Sequence, residues 1–120
     1  MNLYLAIFLG GGLGSISRFL ISGWLNSGTT NHLPWGTISA NVLSSILLGA
    51  LVGKYQNQQE SFLYLMLAIG FCGAFSTFST FSLENFNFLK EGAYFLLITN
   101  IFVNLSLCIA AVALSYNLAK

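Results

Sequence analysis

The sequence predicts an all-α integral membrane protein with four transmembrane helices in one domain spanning residues 1–120. Three observations carry that prediction. Of the 120 residues, 56% are hydrophobic and only 6% charged, whereas soluble domains carry about 25% charged residues. Mean hydropathy is +0.78. The apolar residues gather into four stretches, at about 3–24, 35–53, 62–88 and 93–118, with short polar connectors between them. A helix needs about 20 residues to cross roughly 30 Å of hydrocarbon, and a strand only about 10, so these lengths select helices.

The first stretch carries one charge, Arg18, and a Gly10-x-x-x-Gly14 pattern. Such small residues let helix backbones approach closely, within one subunit or between two. The stretch is too long for a signal peptide and lacks a basic leader or a small-residue cleavage site, so it is expected to remain as a span. After the connector 26–33, Pro34 suits the first turn of a second helix. That helix places Asn41 mid-span, with Ser39, Ser44 and Ser45 nearby and a second small-residue pattern at Gly49 and Gly53. The connector 54–61 follows.

The third stretch, 62–88, is longer than a straight crossing needs. Residues 70–84 read GFCGAFSTFSTFSLE, with Phe75, Phe78 and Phe81 every third residue and hydroxyls between them. Gly70, Gly73 and the Ser-Thr run mark a place for a break, where freed carbonyls can coordinate a cation and half-helix ends present dipoles. Tilt is the other way to fit the length. Beyond the break, Phe78 and Phe81 share a helical face, as do Thr77, Thr80 and Glu84. In the fourth stretch Asn100 and Asn104 fall on one face, with Ser106 near them. Polar residues at such depth either bond helix to helix or line a path for something polar.

Charge excludes several classes. The formal net charge of +1 offers no field for nucleic acid. His32 stands alone in a connector without a nucleophile or metal partner in sequence, which argues against an enzyme. Cys72 and Cys108 lie inside apolar runs and read as packing thiols rather than a disulfide. The basic residues Arg18, Lys54, Lys90 and Lys120 divide two and two between the sides of a four-span chain. Orientation follows an excess of Lys and Arg on one side, and no excess exists here. Insertion both ways up is consistent with that balance. The two halves of the chain show no inverted similarity, so any inverted symmetry has to come from a second copy.

The run GFCGAFSTFSTF resembles the signature of the Fluc/CrcB fluoride channels. GGLGSISRF, residues 11–19, is similar to that family's first-helix motif, and GTISANVLSSILLG, residues 36–49, to its second-helix motif. The fourth helix matches only in Tyr94 near its start. The resemblance implies an antiparallel, dual-topology homodimer of four-helix subunits in the cell membrane. Each dimer would have two narrow fluoride pores, the third helix broken mid-membrane, and a structural Na+ at the centre. It assigns the sodium to the backbone carbonyls of Gly73 and Ser76, and an aromatic box to Phe78 and Phe81. It assigns a hydroxyl track to Ser79 and Thr80 and an ion donor to Asn41. Arg18 and Glu84 would serve a vestibule or gate. The departures are Ser76 for the usual Thr, and Ala74 and Ser44 for glycines. A small dual-topology multidrug transporter is the alternative, but it wants a carboxylate in the first helix, where only Arg18 is charged. A structural subunit of a larger membrane complex is the other alternative.

Overall fold

A computed structural model of the chain describes residues 2–26 and 32–120; most of the predicted 26–33 connector lies outside the described residues. Helix α1 is Leu3–Leu25 and α2 is Trp35–Lys54. The third span, Phe62–Lys90, divides into α3 (residues 62–75) and α4 (Phe78–Lys90). The chain ends in α5, Tyr94–Ala119. The chain is therefore a multi-pass membrane protein, with four helices among the described residues long and apolar enough to cross a bilayer. Its long dimension of 49 Å matches a bilayer of about 40–45 Å with its headgroups.

Local chemistry places the ends. Asn2 caps α1 by accepting from the Tyr4 and Leu5 amides at 3.0 and 3.4 Å. Pro34 sits one residue before the first turn of α2 rather than within it. The Asn26 side chain accepts from Gly36 N at 2.9 Å, tying the end of α1 to the start of α2. Between α4 and α5 the chain turns through Gly92 at φ 69°. Ala93 N bonds back to Phe88 O and Gly92 N to Leu89 O, a glycine-closed helix end that a residue with a Cβ would strain.

Packing pairs α1 with α3 and α2 with α5, while α4 leans on α5. Both small-residue patterns are spent inside the subunit. Gly10 and Gly14 lie against the Met66 and Phe71 carbonyls, and Gly70 faces back onto Ile7 and Gly10. Gly49 and Gly53 admit the backbone of α5 at Val112 and Tyr116. Where α3 crosses α1, Leu65–Cys72 widens into i→i+5 turns, a local form frequent beside functional sites. The apolar core is small: Leu51, Tyr64, Ala68 and Cys72 with the residues around them. Among the described residues α2 is the most enclosed span, with 44% of its most apolar stretch buried, followed by the third span at 33%, α1 at 17% and α5 at 11%. The rest of the apolar surface faces outward, as it must for a chain solvated by lipid.

Candidate functional site

The third span is interrupted at Ser76 and Thr77, whose backbones are extended at φ/ψ −75°/158° and −150°/118°. A break in a membrane helix strands backbone groups that must find new partners, and the residues around this one supply them. Thr77 N–H, which in a continuous helix would bond the Gly73 carbonyl, instead donates to Asn41 Oδ1 at 2.8 Å. Thr80 N–H, the helical partner of the Ser76 carbonyl, instead donates to Thr77 Oγ1 at 3.2 Å. Thr77 is thus the N-cap of α4, a role for which threonine is well suited. Both diversions release a carbonyl, and they release those of Gly73 and Ser76.

Hydroxyls complete the break. The Cys72 carbonyl accepts from Ser76 N at 3.1 Å, Ser76 Oγ at 2.9 Å and Ser44 Oγ at 2.9 Å. Ser44, which stands where the resemblance has a glycine, is therefore a buried tie between α2 and α3. The Ser76 hydroxyl turns back onto its own helix, which leaves its carbonyl as the group it can offer. Thr77 Oγ1 bonds Ser79 Oγ at 3.2 Å and donates to Thr80 Oγ1 at 3.1 Å. Thr80 accepts that bond, so its own proton is not spent on it.

An open groove of about 220 Å³ runs along the break, lined by Asn41, Ser76, Thr77, Phe78, Phe81, Asn104 and Cys108 among others. Phe78 and Phe81 stand with ring centroids 5.5 Å apart and planes at 47°. They are not equivalent: Phe81 is 7% exposed and Phe78 74%. Gly73, Ser79 and Thr80 are likewise exposed on the subunit. Gly73 is helical at φ −62°, ψ −34°, and a Cβ built there meets nothing within 4 Å. Cys108 is partly exposed in the groove rather than buried, unlike Cys72.

Electrostatically the break has two poles. The carbonyl end of α3 carries partial negative charge and the amide end of α4 partial positive charge. Cations are therefore favoured on the Gly73 side, and anions at the first turn of α4, where Phe78, Ser79 and Thr80 sit.

The structure brings Asn41, Ser76, Phe78 and Phe81 together in the groove, with Ser79 and Thr80 bonded to it through Thr77. Arg18 and Glu84 lie elsewhere. Arg18 is part-buried on the Gly10–Gly14 stripe of α1, one turn beyond Gly14. Glu84 Oε1 accepts from Thr37 Oγ1 at 2.5 Å, and its Oε2 is buried with no hydrogen-bond partner among the described residues. Thr37, fully buried on α2, lay in the second-helix motif without any signal of this role. Glu84 also lines a second hollow with Asn26, His32, Asn87 and Glu91. Asn85 was not anticipated either: with Asn100 and Asn104 it forms a buried amide chain reaching Asn41. Ser106 is exposed and bonds back to Phe102 O within α5.

Comparison with known proteins gives one consistent result. Residues 5–116 match the family model described as CrcB-like protein, Camphor Resistance (CrcB). A relative from Sulfurovum sp. (strain NBC37-1), named fluoride-specific ion channel FluC, is 40% identical over 118 residues. The match covers 98% of this chain and 94% of the relative. Proteins of the same name from Campylobacter lari and Pyrococcus abyssi are 39% and 40% identical over 118 residues. Each match covers 97% of this chain, and 96% and 94% of the relatives.

Proposed function

This chain belongs to the CrcB-like family, and from that premise we propose that it is a passive, fluoride-selective channel that lets fluoride leave the cell across the plasma membrane. It is not an enzyme. The observation that carries the reading is the broken third span, which sets an amide helix end, two phenylalanine rings and two asparagine amides around one groove at membrane depth. A naked anion in a membrane needs donors along its way, and a fixed positive side chain would hold it rather than pass it. Ring edges carry partial positive charge, the first turn of α4 adds its dipole, and the Thr80 hydroxyl retains a proton to give. Asn41 bonds Asn104 through Nδ2 at 3.1 Å, while its second contact, to Thr77 O, is long at 3.5 Å. That long contact is the one an ion can replace.

The working unit is a homodimer of inverted subunits with two pores. Gly73, Phe78, Ser79 and Thr80 face outward, so a second copy has to cover the groove before it becomes a closed path. The balanced placement of Arg18, Lys54, Lys90 and Lys120 permits insertion in both orientations. The released carbonyls of Gly73 and Ser76 are hard oxygen donors, and two subunits double the set. They fit a sodium ion, which would neutralise the negative ends of the two α3 segments and hold the subunits together. Arg18 would draw anions toward an entrance, and Glu84, bonded to Thr37, would stand at a pore end.

Purified protein in liposomes loaded with potassium fluoride should release fluoride when valinomycin supplies a path for potassium, and chloride should stay behind. A correctly folded dimer that releases no fluoride refutes the proposal. Matched chloride release refutes the selectivity.

A further inference from the structure

Three buried asparagines are an expensive choice in a small membrane protein, and their bonds run in one direction. Asn41 Nδ2 donates to Asn104 Oδ1 at 3.1 Å, Asn104 Nδ2 to Asn100 Oδ1 at 2.9 Å, and Asn100 Nδ2 to Asn85 Oδ1 at 2.9 Å. The direction is not arbitrary. Thr77 N–H can only donate, so Asn41 must turn its oxygen to it and its NH2 toward α5. Asn104 must then present oxygen to Asn41, and each later amide is oriented in turn. Asn85, Asn100 and Asn104 are 8%, 0% and 3% exposed, in a low-dielectric interior where head-to-tail amides polarise one another. The ladder crosses from α2 to α5 to α4, the elements that enclose the groove.

We infer that Asn100 and Asn104 are positioning residues, whose amide ladder anchored on Asn85 fixes the side chain of Asn41 and so holds the break at Thr77 in shape. The inference rests on the proposed channel reading for its effect on flux, but not for its effect on structure. With Asn104 replaced by an apolar residue of similar size, Asn41 Nδ2 keeps only the 3.5 Å contact to Thr77 O. The terminal torsion of asparagine is broad, so the amide then rocks, and the Thr77 N–H loses its steady acceptor.

The test is hydrogen–deuterium exchange over residues 73–80 in the wild type, Asn104→Leu and Asn100→Leu, with fluoride release measured on the same preparations. The Thr77 amide should exchange about tenfold faster in Asn104→Leu, and less than that in Asn100→Leu, one link further away. Fluoride release should fall about five- to tenfold in Asn104→Leu, the scale of one net hydrogen bond. In an Asn41→Ala background Asn104→Leu should change flux less than twofold, because a residue acting through Asn41 has nothing left to position. Unchanged Thr77 exchange overturns the inference whatever the flux does, and so does a double variant whose loss is the product of the single losses. Should Asn104→Leu fail to fold, Asn100→Leu carries the same comparison. A wild type without fluoride release refutes the channel, while the exchange result still decides the ladder.

Discussion

Gly73 and Gly70 lie one helical turn apart, and the structure predicts opposite consequences for filling them. Gly73 is in helical geometry with open space where a side chain would stand. Replacing a helical glycine by leucine gains about 0.5–1 kcal/mol of intrinsic helix preference, so Gly73→Leu should leave the single subunit as stable as before, or slightly more so. A Cβ on Gly70 would instead sit 2.6 Å from the Ile7 carbonyl, where ordinary contact begins at 3.4 Å. The obstacle is backbone, which cannot swing aside, and overpacking of that kind costs about 1–3 kcal/mol. Gly70→Ala should therefore lower the thermal unfolding midpoint in detergent. Gly73→Leu should leave the fold intact but abolish the dimer, judged by cross-linking and size-exclusion chromatography, and with it fluoride release. The glycine at 73 would then serve a neighbour the subunit does not itself contain. A Gly73→Leu protein with wild-type dimer and flux refutes the covered face. One that unfolds as a monomer refutes the reading of an open helical position.

The two rings should separate in the same way. Phe81→Ile should cost the subunit about 1–2 kcal/mol, because the ring is buried, whereas Phe78→Ile should leave thermal stability unchanged; both should cut fluoride release. Equal stability losses would contradict the assigned environments. Ser76→Ala removes one of three bonds to the Cys72 carbonyl and no carbonyl at all, so flux should stay within a fewfold of the wild type. Replacing sodium by a large organic cation should weaken the dimer and the flux together. If neither responds, Gly73 and Ser76 do not hold a cation.

How much of this was legible in the chain depends on the range of the interaction concerned. The four spans follow from composition and length, since nothing so apolar can cover itself with water-facing surface. The break was legible in outline because glycine, serine and threonine are the residues that tolerate or repair an interrupted membrane helix. Within that expected region it falls at the start of the Ser-Thr run, at Ser76–Thr77, while Gly73 remains helical. The resemblance rested on three short motifs, one in each of the first three spans, and the match over residues 5–116 accords with it.

What periodicity cannot specify is which polar group meets which across helices. Asn100 and Asn104 were visibly on one face, yet nothing in their spacing said that Asn85, from a different span, would accept the bond at the end of their chain. The Thr37–Glu84 pair joins residues 47 positions apart, and no pattern in either segment announces the other. Glycine spacing showed that α1 and α2 each present a close-packing face, but only the folded chain decided that α3 and α5 occupy those faces. Phe78 and Phe81 read alike in sequence because a three-residue step keeps them near one face. The tertiary fold buries Phe81 and leaves Phe78 outward, since the face of α4 that packs inward is the one that carries Phe81, Asn85 and Phe88.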